Sequence, residues 1–334
     1  MDIAPWVWWV TIGVTVAILL FDILVIARRP HEPSMRECAV ALAVYVGLAV
    51  VFGVGVAALA GGGYGTEFFA GWLTEYSLSV DNLFVFIIIL ANFKVPKEYQ
   101  QTALMVGIVL ALLMRAIFIF VGAAAINEFS WVFYIFGVFL LFTALKLAKD
   151  AGDDEEDDFE ENRLVRFASK HLPVTEEWNS NKILSRENGK RVVTPMFLVI
   201  LTLGTTDLLF ALDSIPAIYG LTQEPYLVLT ANIFALMGLR QLYFLIGGLL
   251  ERLIYLSYGL AVLLAFIGVK LVLHAMHENE LPFLNGGEHI EWAPDIPTWL
   301  SLVVIIGTLA VTTVLSLAVS RHRDRAEQEA STEA

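Results

Sequence analysis

Two segments of this 334-residue chain repeat one arrangement of acids. The first, EYSLSVDN, places Glu75, Asp81 and Asn82; the second, DLLFALDS, places Asp207, Asp213 and Ser214. Each has an acid, five residues, a second acid and a small polar residue. Carboxylates beside amide and hydroxyl groups form an oxygen-rich set, which suits a hard divalent cation such as Mn²⁺, Ca²⁺ or Mg²⁺. Soft-metal chemistry is disfavoured: the single cysteine, Cys38, sits at a helix start, and the six histidines lie in loops, tails or at helix ends. On a helix, residues seven apart share a face and residues six apart do not. Glu75, Ser79 and Asn82 thus form one stripe, and Asp207 and Ser214 form its counterpart. Asp81 and Asp213 stand about 120° round from the first acids. A shared site then requires two helices facing each other or a local break. Pro216 offers a break, because it lacks an amide N–H and frees the carbonyl of Leu212 beside Asp213. The first segment has Phe84 at the equivalent position.

The elements that must position these acids are membrane helices. The chain is 57% hydrophobic and only 16% charged, with a mean hydropathy of +0.70. A soluble domain is about 45–50% apolar and about 25% charged. The expected fold class is therefore all-α and polytopic. Nine stretches are long and apolar enough to span hydrocarbon, near 6–27, 38–60, 68–93, 101–125, 131–149, 195–220, 226–250, 253–274 and 298–320. The first reads as a true span, since it lacks the basic leader of a signal peptide. Orientation follows from the cations. With the N-terminus outside and the C-terminus in the cytoplasm of a cell-membrane protein, eighteen of the 21 Lys and Arg fall in inner segments. Arg115, Arg240 and Lys270 lie within spans. The net charge of −13 speaks against a nucleic-acid partner.

The likeness of the two segments extends downstream. Arg115 aligns with Arg240, Gly122 with Gly247, Tyr134 with Tyr258 and Lys146 with Lys270. Spans three to five and spans six to eight thus form two three-helix units, 68–149 and 195–274. Three is odd, so the second unit enters from the opposite side, an inverted repeat of the kind found in secondary transporters. Two helices (1–67) precede the units, and an acidic cytoplasmic loop (150–194) joins them. An outer loop (275–297), a last span (298–320) and a polar tail (321–334), expected to be disordered, follow.

An ionised side chain at the bilayer centre costs about 2.5–3.5 kcal/mol on insertion scales. Glu75, Asp81, Asp207 and Asp213 all lie well inside spans, with Asp22 nearer the inner end of the first. A bland reading pairs the acids with Arg115 and Arg240 as helix glue. Two arginines cannot neutralise four acids, so an excess of negative charge stays near the midplane and calls for a cation, protons or both. Lys146 and Lys270, near helix ends, read as snorkelling or pairing residues.

EYSLSVDN and the later TDLLFALDSIPA, 206–217, resemble the two signature segments of the TerC family of integral membrane proteins, named for tellurium resistance. The resemblance covers most of the chain, from Asp22 and Arg28 to the ninth span. It implies that Glu75, Asp81, Asn82, Asp207, Asp213 and Ser214 line a metal pathway; Asp22, Ser79, Thr206, Arg115 and Arg240 are candidate accessory residues beside them. Family members are linked to Mn²⁺ efflux, so the implied partners are a transported divalent cation and the lipid bilayer, with no permanently bound cofactor. Tellurite is an anion that an acidic pocket binds poorly, so the family name describes an indirect phenotype.

Nine acids crowd positions 150–161, the pattern of a solvated linker. The rest of that loop, with Phe167 and Trp178, is expected to form short surface helices. The outer loop carries His277, His289 and five acids and reads as an ordinary exposed loop. Trp6, Trp8 and Trp9 read as an interfacial belt. The expected function is transport of Mn²⁺ or a similar cation out of the cytoplasm, in exchange for protons. The rival is a non-transporting membrane scaffold whose acids pair structurally. No Ser/His/Asp arrangement, HExxH motif or phosphate-binding glycine loop supports an enzyme.

Overall fold

In the computed structural model, the described residues are 3–28, 33–129, 131–151, 178, 183–187, 190–246, 255–277, single positions between 279 and 294, and 296–333. Ten helices run through them: α1 (Pro5–Arg28), α2 (Met35–Ala60), α3 (Gly62–Asn92), α4 (Lys97–Glu128), α5 (Val132–Asp150), α6 (Pro195–Tyr219), α7 (Pro225–Met237), α8 (Leu239–Ile246), α9 (Leu256–His277) and α10 (Thr298–Glu333). A two-stranded antiparallel hairpin, β1 (Leu184–Glu187) and β2 (Lys190–Val193), lies between α5 and α6.

Local chemistry sets several helix ends. Ser34 and Glu37 form a reciprocal capping box at the start of α2. Pro195 and Pro225 open α6 and α7 with a preset φ and no amide to leave unpaired. One residue, Gly61 at φ +119°, separates α2 from α3, a backbone state open to glycine and few others.

Among the described residues, eight helical segments are long and apolar enough to cross a membrane, with α7 and α8 counting as one. α1 adds a ninth candidate, 24 residues long. The surface is apolar: Val51, Leu59, Leu113, Leu145 and Val314 all face outward. The interior holds polar groups that a soluble core would exclude, Glu75, Arg115, Asp207 and Asn232 among them. That inside-out distribution is what hydrocarbon selects, and the protein is a multi-pass membrane protein.

The centre of the bundle is α3, α6 and α7. α3 packs on α7, α4 packs on α6, and α5 packs closely along α9. Gly137 and Gly268 permit that approach. A Cβ on Gly137 would stand 2.9 Å from the Gly268 carbonyl oxygen, and a Cβ on Gly268 the same distance from that of Gly137.

Three local expectations are corrected. α6 runs without a break through Pro216 to Tyr219. The interruption falls instead at Gly238, between α7 and α8 and two residues before Arg240. Residues 184–193, at the end of the loop joining α5 to α6, form the β1–β2 hairpin where surface helices were expected, the stretch 162–177 lies outside the described residues, and Trp178 stacks on Tyr99 at the start of α4. The last helix does not stop at 320 but continues to Glu333. Its polar end is rich in Ala, Glu, Gln and Arg and contains no Gly or Pro, so propensity carries the helix beyond the apolar stretch. The acidic run 152–161, Phe167 and His289 lie outside the described residues.

Candidate functional site

Arg115 lies halfway along α4 and is almost fully buried. Its guanidinium faces α6, where Nε donates to Asp207 Oδ2 at 3.0 Å and Nη2 donates to Asp207 Oδ1 at 3.1 Å. Nη1 turns to three other oxygens. It pairs with Glu75 Oε1 from α3, and donates to Ser214 Oγ at 3.1 Å and to Asn232 Oδ1 on α7 at 3.0 Å. Ser79 Oγ, one turn along α3, donates to the same Glu75 oxygen at 3.1 Å. Asn232 is held in place because its Nδ2 donates to the Val228 carbonyl at 2.9 Å. Four helices therefore contribute to one buried cluster.

The stripe read from the sequence is present for Glu75, Ser79, Asp207 and Ser214, whereas Asn82, expected on the Glu75 face, lines a separate cavity with Asp213. Glu75 and Ser79 lie on one face of α3, Asp207 and Ser214 on one face of α6, and the two faces meet at Arg115. Two carboxylates against one guanidinium leave a formal charge of −1. Glu75 Oε2, fully buried, has no hydrogen-bond partner among the described residues. A buried carboxylate oxygen without a donor is costly, so this side of the cluster has an unmet demand for a hydrogen-bond donor or positive charge.

Asp213 lies outside this cluster, as its position 120° round the helix requires. It accepts a hydrogen bond from Thr143 Oγ1 of α5 at 3.2 Å. Asn82, Thr143, Lys146 and Asp213 line a cavity of about 340 Å³ between α3, α5, α6 and α9. The second small polar residue of the first segment and the second acid of the other thus share a space, in the half-buried zone beside the central cluster. The side chains of Asp81 and Asp22 lie outside the described residues. Thr206 is half-buried next to Asp207. Arg240 is buried on α8, and with the Gln241 amide in its satisfied orientation it donates to Gln241 Oε1 at 2.7 Å. Among the described residues no three His, Cys, Asp or Glu side chains gather as a metal-binding group.

A second polar cavity, about 350 Å³, opens where α3 begins and α6 ends. Glu67, Thr222, Glu224, Lys270 and His274 line it. Thr222 Oγ1 donates to Glu67 Oε2 at 2.6 Å, and Lys270 Nζ donates to Ser301 Oγ at 3.3 Å. Lys270 is thus a buried pairing residue and does not snorkel. Tyr219 lines this cavity, and its hydroxyl donates to the carbonyl of Ile119, one turn along α4 from Arg115, at 2.6 Å.

The sequence reading missed Asn232 and Thr143. The one signal for Asn232 was an amide inside an otherwise apolar run, which no repeat pattern picks out. Thr143 carried none, since threonines are common in spans and usually bond their own backbone, as Thr202 does with the Leu198 carbonyl.

Residues 60–324 match the family described as Integral membrane protein TerC family. The chain is 46% identical over 319 residues to an uncharacterized membrane protein of Mycobacterium tuberculosis (strain ATCC 25618 / H37Rv), covering 95% of this chain and 80% of that one. It is 38% identical to an uncharacterized membrane protein of Myxococcus xanthus, covering 98% and 97%. It is 35% identical to an Escherichia coli (strain K12) protein named "Putative membrane-bound redox modulator Alx", covering 95% and 96%. No solved structure matches the chain.

Proposed function

The chain belongs to the TerC family of integral membrane proteins, and from that premise we propose that it transports a hard divalent cation, with Mn²⁺ efflux as the physiological reaction. One observation carries the reading: Glu75 and Asp207, from two different helices, converge on a single guanidinium, and one buried carboxylate oxygen is left without a donor. Surplus negative charge inside a membrane protein is retained for a cation or proton pathway. Carboxylate, amide and hydroxyl oxygens are hard donors, which favours Mn²⁺, Mg²⁺ or Ca²⁺ over zinc or copper.

The path we infer runs from the cavity holding Asn82 and Asp213, through the Arg115 cluster, past Tyr219, to the cavity holding Glu67. The packing supports two inverted units, since α3 rests on α7 as α4 rests on α6, while α5 and α9 pair with each other. Rocking of one unit against the other would expose the acids to each side in turn. Protons are the natural exchange partner for a site built of carboxylates. The cytoplasmic placement of most Lys and Arg, and hence a cell-membrane protein with its N-terminus outside, belongs to the same proposal.

A redox role like that in the Alx relative's name has less support. Cys38 is the single cysteine, so the chain cannot form an internal disulfide for thiol exchange. The scaffold reading rests on the Arg115 pairs themselves. Flux in proteoliposomes separates it from transport. Wild type should move Mn²⁺ down a gradient, and Asp81→Asn and Asp213→Asn should abolish that movement. Unchanged Mn²⁺ and Ca²⁺ flux in both variants would sink the proposed site, and no flux in the wild type would favour the scaffold.

A further inference from the structure

The guanidinium of Arg115 is surrounded as a metal ion would be. Five oxygens from four residues point at it: Glu75 Oε1, Asp207 Oδ1 and Oδ2, Ser214 Oγ and Asn232 Oδ1. The unpartnered Glu75 Oε2 adds a sixth at the same carboxylate. Two carboxylates, one amide and one hydroxyl make up the oxygen set and number that a hard divalent cation takes. Three of these helices, α3, α6 and α7, pack at the centre of the bundle and bring their oxygens to one place. The cation among them is on the fourth, α4, at the end of a long side chain that can turn away.

We propose that Arg115 is a tethered stand-in cation: its guanidinium occupies the cargo site when no metal is bound, and Mn²⁺ or a similar ion takes over its oxygens as the side chain swings out. This rests on the divalent-cation reading above and goes beyond it in two respects. It assigns Asn232 as a cargo ligand, which no acid motif indicates. It also makes Arg115 the competitor of the cargo, where helix glue would make it a structural pair. The competition has a direct consequence for affinity. The metal-competent cage is a minor state while Arg115 fills it, and apparent affinity falls in proportion to that minor population. The same side chain allows the emptied site to reorient, because it keeps two buried carboxylates from facing hydrocarbon unneutralised.

The test uses the purified full chain, with ⁵⁴Mn²⁺ binding in detergent and ⁵⁴Mn²⁺ movement in proteoliposomes. Arg115→Met keeps the bulk and removes the charge. It should bind Mn²⁺ about tenfold tighter or better, retain Mn²⁺–Mn²⁺ exchange across the membrane, and lose net efflux into metal-free buffer. Asn232→Ala leaves the Arg115–Asp207 pair in place and should weaken Mn²⁺ binding about tenfold. It carries the test by itself if Arg115→Met does not purify as a folded protein. Unchanged or weaker binding by folded Arg115→Met, or unchanged binding by Asn232→Ala, overturns the proposal. Failure of the divalent reading is recognised separately, because the wild type would then neither bind nor move Mn²⁺.

Discussion

Arg115 on α4 grips Asp207 on α6 with two parallel hydrogen bonds, at 3.0 and 3.1 Å, in a region sealed from solvent. A bidentate guanidinium–carboxylate pair fixes distance and rotation together, so while Arg115 occupies the site it sets how α4 and α6 lie against each other. The same guanidinium reaches Glu75 on α3. One side chain thus ties the first acids of the two repeated segments into one cluster.

Removing one partner of a buried ion pair leaves the other charge uncompensated, at about 3–5 kcal/mol. Asp207→Asn breaks the bidentate contact but leaves Glu75 on the guanidinium, so it should lower stability by about 2 kcal/mol, read as a fall in the unfolding midpoint in detergent. Adding Arg115→Met to Asp207→Asn should deepen that loss, because Glu75 is then left buried without a counter-charge. A double variant no less stable than the single would show that the Arg115 pairs are not what holds these helices together.

The charge-swapped variant Arg115→Asp with Asp207→Arg separates structure from transport. It can restore the ion pair and with it the folded yield, but it moves an arginine onto a proposed cargo ligand position. Mn²⁺ flux should stay lost. Full recovery of flux would make the pair purely structural.

Asp213 is bonded to Thr143 across a cavity and takes no part in the Arg115 cluster. Asp213→Asn should cost about 1 kcal/mol or less in stability while abolishing Mn²⁺ flux. Stability and flux can be measured on the same preparation. A loss of stability as large as that of Asp207→Asn would assign Asp213 to the framework.

Gly137 and Gly268 lie where α5 and α9 touch backbone to backbone. Gly137→Val would drive a side chain into a carbonyl that cannot move aside, at about 1–3 kcal/mol. Gly47→Val, at a position with open space around it, is the control and should be nearly neutral. Equal unfolding midpoints for the two variants would contradict the close packing of α5 on α9.

Tyr219 lines the Glu67 cavity, and Tyr219→Phe removes the hydroxyl that caps the Ile119 carbonyl. The expected cost is about 1 kcal/mol, with faster passive Mn²⁺ leak through proteoliposomes. An unchanged leak would remove Tyr219 from the pathway.

How much of the site was legible in sequence differs from residue to residue. Glu75, Asp207 and Ser214 stood out because an acid inside an apolar run is costly wherever it sits, and their spacing put each set on one helix face. Asp213 was correctly placed on a different face by the 100° step of the helix. Asn232 was invisible, because a neutral amide breaks no hydropathy rule and its partner is 117 residues away. The proline was misleading: Pro216 removes a donor, yet α6 runs on through it, while Gly238 separates α7 from α8 without any proline.

By itself the sequence determined the membrane class, the approximate spans and the four acids at stake, since burial of apolar length and the cost of charge in hydrocarbon are summed along the chain. Only the tertiary structure decided that Glu75 and Asp207 share Arg115, that Asn232 joins them, and that Asp213 faces Thr143 instead. Those outcomes depend on how each helix is rotated and seated against its neighbours. That is settled by packing between distant segments, such as the Gly137–Gly268 contact, and no local pattern records it.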